Sequence, residues 1–185
     1  MPLVIILGLP GTGKTYLATE LIQSLSEPPI YLSTDKIRRN LFDFSHHHYV
    51  PFGDKLYTQE KRDLVYNALY LIVEILLSQN LSIIVDGTFY SQTKRIPLIK
   101  ICQQLNQKYY IIKTTCTEEV IKQRIQERKS QGDNASDADF NIYLEIKDRF
   151  ETITTPHLEI DTGKDLSIIL KEVISYIADF QSEDA

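Results

Sequence analysis

The sequence has little of what marks several common functional classes. Its 185 residues hold two cysteines, Cys102 and Cys116, which match neither CxxC nor any metal-ligand spacing. No disulfide framework or thiolate metal site is expected, only free thiols in a reducing compartment. There is no excess of positive charge: 20 Lys and Arg against 25 Asp and Glu give a formal net charge of −5. That argues against extended nucleic-acid binding, which advertises a basic surface. No aromatic platform for single-stranded nucleic acid stands out among the scattered tyrosines. No apolar run approaches the roughly 20 residues that span a bilayer. The run PLVIILGLPG has no basic region before it and reads as a buried strand, not a signal peptide. A cytoplasmic protein without membrane association is the expectation. There is no internal repeat, no NKxD guanine-reading motif and no LSGGQ-like signature.

What is present is the composition of a soluble globular chain, with 43% hydrophobic and 24% charged residues. Apolar runs alternate with helical segments. Strands are expected at Leu3–Leu7, Ile30–Leu32, Leu81–Val85, Tyr109–Lys113 and Leu158–Asp161. Helices are expected at Thr15–Leu25, Asp35–Phe42, Thr58–Ser78, Ser91–Leu105, Glu118–Lys129, Asp137–Phe150 and Asp165–Phe180. The long helix carries an apolar stripe through Leu64, Leu69, Ile72, Val73 and Leu76. Pro97 either kinks its helix or moves the start to Ile96. This alternation predicts an α/β fold, a mainly parallel five-stranded sheet with helices on both faces. Ligands then sit beyond the carboxyl ends of the strands.

The first such end carries GLPGTGKT: Gly8, Leu9, Pro10, Gly11, Thr12, Gly13, Lys14 and Thr15. It fits G-x-x-x-x-G-K-[ST] between a strand and a helix, the context that supports a phosphate loop. The glycines let backbone N–H groups turn inward, toward the positive end of the following helix. Lys14 is expected on the β- and γ-phosphates and Thr15 on Mg²⁺.

After the second strand comes STDKIRR, Ser33 to Arg39. Asp35 there either accepts the proton of an attacking hydroxyl or simply caps a helix. Arg38 either holds an anionic group of the substrate or lies on a solvated face. After the third strand comes IIVDGTF. Asp86 resembles the acid that holds Mg²⁺ at such a strand end, or else caps a turn. Gly87 stands where many hydrolysing ATPases carry a glutamate, which tilts the reading toward transfer. Arg95 reads as a surface arginine, with substrate contact as the alternative.

The segment EEVIKQRIQERKSQGDNASDAD places Arg124 and Arg128 on one helix face. They are either lid arginines that neutralise a moving phosphoryl group or part of a salt-bridged solvent helix. The polar stretch after them has hinge composition, and Ser136 with Asp139 reads as a capping box. His46, His47 and His48 read as a surface loop.

Taken in order, GLPGTGKT, STDKIRRNLF, IIVDGTF and the EEVIKQRIQERKSQGDNASDAD segment resemble the AAA-domain predicted kinase group of P-loop proteins. That group lies near polynucleotide kinase, zeta toxin and gluconate-kinase-like enzymes. The resemblance runs from about Leu3 to Phe150. It implies a three-layer P-loop NTPase fold, with residues 1–185 as one domain and a small helical lid at about 118–140. It implies ATP as co-substrate with Mg²⁺, and Lys14 and Thr15 on phosphate and metal. It further implies Asp35 as general base and Arg38 on the substrate. Asp86 would lie in the metal or substrate shell, and Arg124 and Arg128 on the lid. The activity implied is transfer of the ATP γ-phosphoryl group to a hydroxyl of a small molecule or a nucleotide end. The alternative is a nucleotide-binding regulatory module or slow ATPase without an acceptor.

Overall fold

The computed structural model describes residues 2–42, 58–131 and 140–182. The elements follow in the order β1 (Leu3–Gly8), α1 (Lys14–Ser24), β2 (Ile30–Ser33), α2 (Thr34–Leu41), α3 (Gln59–Ser78), β3 (Ile83–Gly87), α4 (Gln92–Gln104), β4 (Tyr109–Thr115), α5 (Glu118–Gln131), α6 (Phe140–Arg149), β5 (Leu158–Asp161) and α7 (Leu166–Ser182). The five strands form one sheet in the order β2-β3-β1-β4-β5. Every pairing is parallel. The expected architecture is the one observed.

Two apolar layers sandwich the sheet. Leu3, Ile5, Leu7 and Val85 face α3 and α4, where Leu69, Val73, Leu77, Leu98 and Ile101 close the core. Val4, Ile6, Ile84 and Ile112 face α1 and α7, against Leu17, Leu21, Ile169 and Val173. The alternation along β1 and β3 assigns each side chain to one layer. All six residues of β1 and all five of β3 are buried, as central parallel strands require.

Some boundaries differ from the expectation for physical reasons. The third strand begins at Ile83, not Leu81, and includes Asp86 and Gly87. The cause is the end of α3. Asn80 adopts φ 58, its N–H donates to the Leu77 carbonyl, and the Leu81 N–H donates to that of Leu76. This Schellman closure keeps Leu81 in the turn, 41% exposed. The buried face of α3 runs through Val65, Tyr66, Leu69, Val73 and Leu77, whereas Leu64 is half exposed. The row of fourth residues from 65 to 77 meets the sheet, and Leu64 lies off it. Helix α4 begins at Gln92 and carries Pro97 inside it, so the later start at Ile96 does not occur. His46, His47, His48, Ser136 and Asp139 lie outside the described residues. Among the described residues no helix is long and apolar enough to cross a membrane.

Candidate active site

Parallel pairing brings the carboxyl ends of the strands together. Gly8 of β1 lies opposite Thr114 of β4. Ser33 of β2 lies opposite Asp86 of β3. The loop from Gly8 to Thr15 leaves the sheet at this edge. Gly8, Gly11 and Gly13 all have positive φ, at 150°, 81° and 80°. At Gly8 a Cβ would stand 2.5 Å from the Thr114 carbonyl oxygen, so both conformation and space demand glycine. Gly13 is the N-cap of α1 and offers no side chain to its first N–H groups. Those donors and the helix dipole form an anion-binding end.

Polar side chains brace the loop. Thr12, 2% exposed, donates its hydroxyl to the Leu9 carbonyl at 2.7 Å and lies 2.7 Å from the Thr114 hydroxyl. Lys14 reaches across the loop, its Nζ donating to the Leu9 carbonyl at 2.9 Å. Thr15 Oγ1 donates to Asp86 Oδ2 at 2.7 Å. Tyr31 donates its hydroxyl to the same oxygen, also at 2.7 Å. Asp86 is buried, 2% exposed, on the face that carries α1. Thr15 and Asp86, both candidate metal ligands from the sequence, are thus hydrogen-bonded to each other.

Asp35 and Arg38 stand one helical turn apart and form an ion pair, Arg38 Nη1 to Asp35 Oδ1 at 2.5 Å. Ser33 occupies the N-cap of α2, yet no side-chain capping bond forms there. The Asp35 carboxylate faces Arg38 and is about one third exposed, at 32%. Around this pair stands a wall that the sequence did not announce. Tyr66 from α3 is buried, and burial pushes its phenol pKa well above the usual range. Phe89 packs edge-on to its ring at 5.5 Å, and Lys94 stands over it at 4.7 Å. Lys94 also pairs with Asp63. That ion pair joins α3 to α4, two helices whose sequence patterns gave no hint of facing charges.

Arg95 is not on the surface. It is 3% exposed and donates to the carbonyls of Phe89, Glu151 and Thr152 at 3.1–3.2 Å. Its guanidinium therefore staples the loop after β3 to the segment after α6. A further bond, from the Glu151 N–H to the Tyr90 carbonyl at 2.8 Å, closes the same seam.

Helix α5 rests directly on the phosphate loop. Ile121 and Ile125 pack with Tyr143 of α6 and with Leu9, and a Cβ on Gly11 would stand 2.8 Å from Ile121. Arg124 is half-buried beside them. Its fork donates to the hydroxyl and carbonyl of Thr162 at 2.9 and 2.8 Å. The Thr162 hydroxyl donates in turn to the Thr12 carbonyl at 2.9 Å. Sequence reasoning missed Thr162, although it follows a strand end like the other site residues. The side chain of Arg128 lies outside the described residues.

A family model described as AAA domain matches residues 3–153. The chain belongs to this family. Several solved structures share its fold. A sugar kinase from Janibacter sp. is similar at TM-score 0.71 and 15% identity, over 96% of this chain and 95% of that one. The Mycobacterium tuberculosis APS kinase CysC, solved with AMPPNP and APS, is similar at TM-score 0.69 and 16% identity, over 96% and 97%. Chaetomium thermophilum Kti12, solved with ADP-AlF3, is similar at TM-score 0.68 and 17% identity, over 95% and 99%. At these identities the likeness is one of fold. The three-layer P-loop arrangement of this AAA domain agrees with it.

Proposed function

We propose that this AAA domain is an ATP-dependent phosphotransferase acting on a hydroxyl of a small molecule or a nucleotide end. The carrying observation is the juxtaposition of two acids at neighbouring strand ends. Asp86 is buried and holds Thr15 of the phosphate loop, while Asp35 is solvent-accessible beside Arg38. One acid serves the nucleotide side and the other the acceptor side.

The donor set of Thr15 and Asp86 is all oxygen, which suits magnesium, an ion that keeps several waters and shares phosphate oxygens. When bound, Mg²⁺ neutralises charge on the β- and γ-phosphates. The loop N–H groups and Lys14 bind and orient the phosphate chain. Asp35 takes the proton from the acceptor hydroxyl as that oxygen bonds to the γ-phosphorus. The bond from the γ-phosphorus to the β,γ-bridging oxygen breaks, and ADP leaves. Arg38 holds an anionic group of the acceptor, and Arg124 and Arg128 supply positive charge from the lid side.

Gly87 supports transfer over hydrolysis. A Cβ there would stand 2.8 Å from both γ atoms of Thr34 and 2.9 Å from Phe89, so no glutamate fits where a water-activating acid would stand. A small acceptor agrees with the neighbours of similar fold, described as a sugar kinase and an APS kinase.

The test is transfer of label from [γ-³²P]ATP into a panel of sugars, nucleosides, nucleotides and oligonucleotide ends. A labelled product that disappears in Lys14→Ala is expected. Asp35→Asn should retain nucleotide binding and lose transfer by roughly 10²–10⁴-fold. Release of free phosphate alone, or full transfer by Asp35→Asn, would sink the assignment.

A further inference from the structure

We propose that Tyr31 is a positioning residue for the metal-side acid, holding the Asp86 carboxylate so that Thr15 presents its oxygen toward the nucleotide. The proposal rests on the nucleotide-site reading above. Tyr31 lies on β2, the edge strand, directly opposite Ile84. Asp86 is two residues further along β3, on the same face. That diagonal separation is too long for a small side chain and within reach of a tyrosine. The phenol leans along the sheet and ends on Asp86 Oδ2 at 2.7 Å, the same oxygen that accepts from Thr15.

Two donors on one carboxylate oxygen fix both its rotation and the direction of the Thr15 hydroxyl proton. With that proton committed to Asp86, the lone pairs of Thr15 Oγ1 face away from the acid. This is the orientation a metal ligand needs, and groups that orient ligands tune affinity as ligands do. Lys36 stands over the Tyr31 ring at 4.9 Å and helps hold it in place. A phenylalanine would fill the same apolar space, so packing alone does not account for the hydroxyl.

The experiment titrates Mg²⁺ against binding of fluorescent mant-AMPPNP, which does not turn over, with an EDTA baseline. Tyr31→Phe should raise the Mg²⁺ concentration for half-maximal effect roughly ten-fold. Its metal-free affinity should equal that of the wild type. Introducing 4-aminophenylalanine at Tyr31 restores a donor and should restore the wild-type midpoint. If Tyr31→Phe folds poorly, 4-methylphenylalanine at the same position fills the volume without a donor and serves in its place. An unchanged midpoint overturns the proposal, as does an equal loss of affinity with and without metal, which would mean general loosening. If the wild type itself shows no Mg²⁺-dependent binding, the nucleotide-site reading fails and the role of Tyr31 with it. If the wild type shows that dependence and Tyr31→Phe shares it, only the role of Tyr31 fails.

Discussion

Gly87→Ala tests whether the acceptor-side acid is held by packing. Gly87 ends β3 beneath the start of α2, and no left-handed backbone explains it, since its φ is not among the positive ones. The reason is space. An added Cβ would stand 2.8 Å from Thr34 Cγ2, 2.8 Å from Thr34 Oγ1 and 2.9 Å from Phe89 Cε2. Rotating Thr34 to another staggered χ1 well gives little relief. Its two heavy atoms fill two of three positions, so one always faces the intruder. Restoring ordinary contact near 3.5 Å then requires α2 to move by about 0.7 Å. Overpacking of this kind costs about 1–3 kcal/mol. Loss of glycine freedom in the unfolded chain returns about 0.4–1 kcal/mol. The net expectation is a destabilisation of about 1–2 kcal/mol, read from urea unfolding followed by far-UV circular dichroism. Asp35 and Arg38 ride on α2, so transfer should fall on the order of ten-fold or more, given that a displacement of about 1 Å can cost 10²-fold. Thr34→Ala removes two of the three close atoms. The double variant should therefore be more stable than the sum of the two single effects, a coupling the cycle measures directly. Gly87→Ala as stable as the wild type, or additive with Thr34→Ala, would refute the reasoning.

Three further outcomes follow from the geometry. Arg95→Met keeps much of the stem but strips three backbone carbonyls of their donor, and should cost about 2–4 kcal/mol in urea unfolding; a loss below about 0.5 kcal/mol would show that the staple is dispensable. Burial pushes the Cys102 thiol up to about 12 and also raises Cys116, so native protein at pH 8 should react slowly with a thiol reagent, while urea-unfolded protein titrates both. For Cys102 the folded pKa lies above the unfolded value near 8.5, so its contribution is complete below that pH and declines as pH rises toward 12; fast labelling at pH 8 without unfolding would contradict this. Arg124→Met cuts both bonds to Thr162 and should weaken mant-AMPPNP binding roughly ten-fold through the loosened loop, whereas unchanged affinity would remove Arg124 from the nucleotide side.

The sheet was legible because its signal is redundant. Continuous apolar runs, glycine punctuation and helical periodicity all point to the same alternation. Element ends were less legible because they rest on single residues. Asn80 in a left-handed turn moved the start of β3 by two residues, and asparagine gives only a weak hint of that role. The glycine loop was legible for the opposite reason, since glycines at that spacing signal a backbone other residues resist, and all three adopt positive φ. Tyr31, Thr162 and Tyr66 were not, because each acts through a partner far away in the chain. Arg95 shows the limit most clearly. Nothing local distinguishes an arginine that holds three carbonyls from one that faces water, and its fate depends on segments 56 and 57 residues away.

The same limit separates direction from depth on α5. A spacing of four puts Arg124 and Arg128 on one face and invites a single role for both. But each turn advances the helix by about 5.4 Å, so the two backbones stand at different points along its axis. Arg124 lies in the first half of α5, where Ile121 and Ile125 press against the phosphate loop, and its fork reaches the turn after β5. Arg128 lies a turn beyond. One arginine is thus anchored to the loop that would hold the nucleotide, while the other stands closer to the polar stretch that follows the helix. If the lid contributes charge to transfer, Arg124 brings its share from beside the phosphate loop, where Thr162 fixes the guanidinium.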